Sequence, residues 1–216
     1  HNLKLFMNNM KFPNKKYINL KHYFDDYYKE LNMSISSVNI KNLNKVITLL
    51  KKIYKSGKNK VFVCGNGGSA ALAEHFACDH QKILFETNKF KPSLVSLVSN
   101  SAIGTAISND IKYEAIFSEQ LRYQSVKGDI LIVISSSGKS KNIVEAVKWA
   151  NKNKLISISM TGFDGGTVKK ISKYNLHISS KNYGIIEANH QSLMNIISQY
   201  LKVDVLKLEK IKKINF

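Results

Sequence analysis

Val61-Phe62-Val63-Cys64-Gly65-Asn66-Gly67-Gly68-Ser69 runs from four apolar residues straight into a glycine-rich turn, and residues 70–85 then carry a helical pattern. A short apolar run bounded by turn residues reads as a buried strand. The same plan recurs downstream. Residues 94–98 form a second apolar run, and residues 113–126 a helical stretch. Residues 129–134 predict a third strand, followed by Ser135-Ser136-Ser137-Gly138-Lys139-Ser140 and a helix over 141–152. Strands are predicted over 155–160 and 174–178, and a long helix over 184–208. Strands separated by helices of this length imply βαβ units. The reading is an α/β fold with a five-stranded parallel sheet and helices on both faces. Such a sheet places its ligands at the carboxyl ends of the strands.

Two helices precede the sheet. Leu20, Tyr23, Phe24, Tyr27 and Leu31 recur at helical spacing. Ile40, Leu43, Val46, Ile47, Leu50 and Ile53 form a second stripe, which stops at Ser56-Gly57. Residues 1–15 are rich in Asn and Lys, contain Pro13, and are expected to be loosely ordered. With 216 residues and 44% hydrophobic content, the chain suits one domain. Residues 1–57 read as a helical extension and 58–216 as the α/β core.

The formal charge is +18, with 33 basic residues against 15 acidic ones. Only Arg122 among the basic residues is an arginine, and the lysines are scattered along the whole chain. Base and bidentate phosphate readout favour arginine forks, which argues against nucleic acid as the partner. A positive field still attracts an anionic small molecule. No apolar run is long enough to span a bilayer, and the first residues show no secretory h-region. Cys64 and Cys78 form neither a disulfide framework nor a C-x-x-C motif. Together these features lead us to expect a cytoplasmic protein.

Two loops are candidates for phosphate. In 65–69 the glycines let backbone N–H groups approach an anion, and the start of the following helix adds partial positive charge. The spacing is neither the dinucleotide fingerprint nor a P-loop, so no organic cofactor is expected. Residues 135–140 place four hydroxyls and a glycine at another helix start. Taken alone, such a serine cluster also fits a turn with an N-cap.

The pair V-F-V-C-G-N-G-G-S and V-I-S-S-S-G-K-S-K-N resembles the phosphate loops of the sugar isomerase (SIS) family. The order G-N-G-G-S, H-F-A, N-D, S-x-S-G-x-S, T-G-x-D-G-G is similar to that of the phosphoheptose isomerases, over roughly residues 40–205. The resemblance implies a flavodoxin-like three-layer αβα sandwich and a homotetramer with sites shared between subunits. It also implies isomerisation of sedoheptulose 7-phosphate to a heptose 7-phosphate. By position, Ser69, Ser135, Ser136, Ser137 and Ser140 would hold the phosphate, with Gly67 and Gly68 lending backbone. Asn66 would sit by the sugar, and Asn109-Asp110 would match an Asn-Asp near the site.

Aldose–ketose isomerisation needs a base to move a proton between adjacent carbons and a group to polarise the carbonyl. His75 and Asp79 lie four apart on one predicted helix. Glu187, His190, Gln191 and Asn195 share a face of the last helix. His75, Asp79, Glu187 and His190 are the candidate catalytic residues. His75, Asp79 and Glu187 form a candidate set for Zn²⁺ or another divalent ion. The resembled enzymes carry His, Glu, Gln and His at 75, 79, 187 and 195, so only His75 matches. Asp79 shortens the acid, Glu187 adds a charge, and Asn195 has no basic nitrogen. Three readings stay open: an isomerase with reassigned roles, an isomerase of another phosphosugar, and a non-catalytic phosphosugar-sensing or protein-binding module.

Overall fold

The computed structural model describes residues 12–215. Two helices, α1 (Leu20–Ile35) and α2 (Ile40–Ser56), lead into β1 (Val61–Gly65) and α3 (Gly68–Phe85). Next come β2 (Leu94–Ser96), α4 (Ser101–Asp110), a 3₁₀ turn at Tyr113–Ala115 and α5 (Ile116–Gln124). The chain continues through β3 (Ile130–Ser135), α6 (Lys141–Lys152), β4 (Ile156–Thr161), α7 (Gly166–Ile171) and β5 (Tyr174–His177). It closes with α8 (Tyr183–Val205) and α9 (Leu208–Ile211). The five strands are all parallel, in the order β2-β1-β3-β4-β5.

Every residue of β1 and β3 is buried, which explains why these strands read as unbroken apolar runs. Alternate side chains serve opposite faces. Val61, Val63, Ile130 and Ile132 pack against α2, α3 and α8, while Phe62, Cys64, Leu131 and Val133 pack against α5 and α6. The sheet is therefore the middle of three layers.

Local signals set the helix ends. The Asn39 side chain accepts a hydrogen bond from Asn42 N at 3.0 Å and starts α2. Gly57, at φ +64°, closes it in the left-handed conformation that other residues adopt only with strain.

Several expectations need correction. Helix α4 was not foreseen: its sequence has no apolar stripe and buries only Ile107, but Asn100 caps it by accepting from Ile103 N. The short α7 was also missed. Strand β2 is shorter than the 94–98 run, and α8 stops at Val205, with Leu208 starting a separate turn. Of the 1–15 segment expected to be loose, residues 1–11 lie outside the described residues. Phe12 is buried, its ring 5.1 Å from Tyr23 and 5.9 Å from Tyr27.

Candidate functional site

Strands β1 and β3 are neighbours, with Gly65 paired to Ile134, so their carboxyl ends place loops 65–69 and 135–140 side by side. The chain leaves β1 for β2 on one side and returns to β3 on the other. The two loops therefore flank the topological switch point, where open parallel sheets bind ligands. Two helix N-termini, those of α3 and α6, start from these loops.

The first loop needs its glycines for different reasons. A Cβ on Gly65 would lie 2.4 Å from the Ser69 carbonyl oxygen. Gly67, at φ +55°, takes the N-cap position of α3. Ser69 is buried behind it. In the second loop Ser135 Oγ accepts from Gly138 N at 3.2 Å, and Ser137 Oγ accepts from Lys139 N at 3.3 Å. Ser136 Oγ is buried without a hydrogen-bond partner, and Ser140, at the N-cap of α6, makes no side-chain capping bond. An ordinary serine-rich turn would spend these hydroxyls on its own backbone. Here the Ser136 hydroxyl is buried without a partner and the Ser140 hydroxyl is left uncommitted to the cap.

The T-G-F-D-G-G segment holds the second loop in place. Gly162 N donates to Ser136 O at 2.8 Å, and Val168 N donates to Gly138 O at 3.1 Å. Lys139 Nζ reaches Asp164 Oδ2 at 2.7 Å, and that lysine holds the Asp164 carboxyl below its usual range. Beside the loop, a groove of about 490 Å³ is lined by Lys112, Lys139, Lys141 and Lys148, with Glu114 and Glu145 between them. This basic rim suits attraction of a phosphate.

A second groove, of about 300 Å³, runs from the first loop along α4 and α5. Asn66, Gly67, Asn100, Thr105, Tyr113 and Gln120 contribute to its wall. Sequence reasoning found Asn66 and missed Tyr113 and Gln120. Tyr113 sits at the start of a stretch read only as helix. Asn109 and Asp110, expected near the site, are exposed at the end of α4 and bond each other at 2.8 Å; they are not part of this wall.

The candidate catalytic residues separate into two groups. His75 Nε2 lies 3.1 Å from Asp79 Oδ2 on α3, with both side chains accessible. The Glu187 carboxylate, on α8, packs against the first loop, where a Cβ on Gly68 would lie 3.4 Å from its Oε1. His190, expected on the same working face, is fully buried in the core. Three residues are nearly a full helical turn, yet α8 is apolar on most sides, and packing turns His190 inward. Asn195 accepts from Gln191 Nε2 at 3.2 Å.

The donor set does not fit a closed metal site. Among the described residues no three His, Cys, Asp or Glu side chains gather to hold an ion. A His–Asp pair alone falls short of the three or four protein ligands that zinc takes.

Buried histidines make the fold acid-sensitive. Burial lowers His80 to about 3 and His190 to about 4. His177 falls to about 4, through burial and then the Lys169 charge. His80 hydrogen-bonds Tyr54 Oη at 3.0 Å and stacks on Phe76. Each folded value lies below the unfolded one, near 6.5, so the unfolded chain binds the extra protons. The associated stability is intact above about pH 6.5 and is lost as pH falls toward the folded values. At pH 5, His80 and His190 should each cost roughly 2 kcal/mol of stability. Thermal melts between pH 7 and 5 should show this fall, and a His190→Gln variant should show a shallower one. An equal slope in that variant would remove His190 from the account.

Comparison with known proteins agrees with this architecture. The SIS domain family matches residues 22–162. The phosphoheptose isomerase of Aneurinibacillus thermoaerophilus is 34% identical over 173 residues, covering 75% of this chain and 86% of that protein. The phosphoheptose isomerase of Synechocystis is 38% identical over 145 residues, covering 67% of this chain and 74% of that protein. The solved structure of the Neisseria gonorrhoeae phosphoheptose isomerase superposes with a TM-score of 0.74 at 29% identity, covering 84% of this chain and 97% of that one. With its two serine- and glycine-rich loops at the switch point of a five-stranded parallel sheet, this chain belongs to the SIS domain family and, within it, to the phosphoheptose isomerases.

Proposed function

We propose that the protein is an aldose–ketose isomerase that converts sedoheptulose 7-phosphate to D-glycero-D-manno-heptose 7-phosphate through an enediol. The observation that carries this reading is a juxtaposition: two loops rich in glycine and serine share the switch point, and the Glu187 carboxylate lies against the first of them. Family membership supplies the substrate class.

In this reading Ser69, Ser135, Ser136, Ser137 and Ser140 hold the phosphate through hydroxyls and helix-start amides. Neither loop contains an arginine, which suits a monophosphate that must be released. Asp79, oriented by His75, removes a proton from C1 of the open-chain ketose. The C2 carbonyl oxygen takes up a proton, giving the enediol. The C1 hydroxyl then loses its proton as C2 gains one, and the aldose forms. Glu187 moves the proton between the two oxygens. The incomplete donor set means that no step is routed through zinc.

The homotetramer expected from the resemblance is supported by exposed apolar side chains on the outer helices. Leu20, Phe24 and Tyr28 project from α1, and Ile196, Tyr200 and Val203 from α8. The described residues contain no helix long and apolar enough to cross a membrane. We place the enzyme in the cytoplasm, where the free thiols of Cys64 and Cys78 stay reduced.

Incubation with sedoheptulose 7-phosphate, with and without added Zn²⁺, tests this reading by NMR. The expected result is aldose formation, with deuterium from D₂O entering at the carbon next to the carbonyl. Binding of the sugar phosphate with neither turnover nor deuterium exchange would instead identify a sensing module.

A further inference from the structure

Asn142, on the first turn of α6, is fully buried although it is a polar residue. Its amide faces that of Asn66, 76 positions earlier, in a reciprocal pair. Asn66 Nδ2 donates to Asn142 Oδ1 at 2.9 Å, and Asn142 Nδ2 donates to Asn66 Oδ1 at 2.9 Å. Amide oxygens and nitrogens can be exchanged by a flip, so the orientation has to be argued from partners. Here one partner decides it. The backbone N–H of Ile143 donates to Asn142 Oδ1 at 2.9 Å, and a backbone N–H can only donate. The atom it meets must be the oxygen. The facing atom on Asn66 must then be the nitrogen, and Asn66 Oδ1 must turn back toward Asn142.

The remaining valences follow. Asn66 Oδ1 accepts from Asn142 Nδ2 and from Tyr113 Oη, the latter at 3.3 Å, which fills both of its lone pairs. Asn66 Nδ2 uses one hydrogen on Asn142, and no acceptor among the described residues takes the other. Asn66 lines the groove of about 300 Å³. It therefore offers that groove a donor and no acceptor.

We infer that Asn142 is a positioning residue that locks the Asn66 amide so that one N–H points at an oxygen acceptor of the sugar, a carbonyl or ring oxygen rather than a group that must donate. This deepens the isomerase reading and rests on it for the identity of the sugar. An N–H fixed in this way costs no reorganisation when the oxygen gains negative charge.

The test is calorimetric binding of sedoheptulose 7-phosphate and, separately, of inorganic phosphate. Asn66→Ala and Asn142→Ala should each weaken the sugar phosphate about tenfold. The double variant should be no weaker than the poorer single one, and inorganic phosphate should bind all of them as it binds the wild type. A structural role would give losses that add, or would weaken inorganic phosphate as well; either result overturns the assignment.

Asn142→Asp keeps the shape and provides a second readout should the alanine variant unfold. Its protonated carboxyl can accept from Ile143 and donate to Asn66 Oδ1, whereas the ionised form cannot donate. Its affinity relative to wild type should thus fall as pH rises. A ratio that stays at one across pH would overturn the proposal. Wild-type binding of inorganic phosphate without sedoheptulose 7-phosphate would sink the substrate reading and this assignment together. Sugar-phosphate binding indifferent to both Asn142 changes would sink the assignment alone.

Discussion

Asp79→Asn will abolish turnover and deuterium exchange while inorganic phosphate binds with wild-type affinity. Asparagine has the shape of aspartate and can still face His75 Nε2, which lies 3.1 Å from Asp79 Oδ2. It cannot take a proton from carbon. Loss of a general base costs about 10²- to 10⁴-fold in rate. Loops 65–69 and 135–140 lie at the strand ends, whereas Asp79 sits three turns along α3 from its start, so the affinity proposed for phosphate there should not move. Asp79→Glu is the informative partner, because it restores a carboxylate with the reach found in the resembled enzymes. Activity in the glutamate variant and none in the asparagine variant assigns the chemistry to the carboxylate. Full turnover in the asparagine variant would take Asp79 out of the mechanism.

The second large effect is expected at Gly138. Its φ of +62° is left-handed, and an added Cβ would lie 2.0 Å from the Gly165 carbonyl oxygen. The obstacle is backbone, so no side-chain rotation relieves it. The conformation alone costs about 1–2 kcal/mol for a residue with a Cβ. Relief requires the loop to move away from Gly165 and Gly166, which breaks the Val168 N to Gly138 O bond. Ser136 and Ser137 move with it. Gly138→Ala should therefore weaken inorganic phosphate at least tenfold, on the scale of a lost hydrogen bond or two, and lower the melting temperature by several degrees. Calorimetry and a thermal melt of the same sample check both. Wild-type phosphate affinity in this variant would show that the second loop does not hold the anion.

Much of the fold was legible because the determining signals are local. β1 and β3 lie buried on both faces, so their sequences are continuous apolar runs between turn residues. Helix α2 carries its stripe, its Asn39 cap and its Gly57 stop within 19 residues. Helix α4 was hidden because it buries almost nothing. A helix held by a cap and by the neighbouring α5 leaves no periodic trace.

The site was legible in part, for the same reason. Loops 65–69 and 135–140 announce themselves through glycine, serine and a following helix. On α8 the polar residues were legible but their orientation was not, since Ile185, Ile186, Leu193, Met194, Ile197 and Leu201 bury several sides of it. Nothing local says that Glu187 turns to the loop and His190 to the core.

By itself the sequence determined a parallel α/β sheet, its two glycine- and serine-bearing loops and the His75–Asp79 pair, because each depends on residues within a few positions of one another. The tertiary structure alone decided that Asn66 meets Asn142, that Gly138 interlocks with Gly165, and that Glu187 rather than His190 borders the first loop. Those contacts arise when strand pairing and helix packing bring distant segments together, and no local pattern encodes the rotation at which they meet.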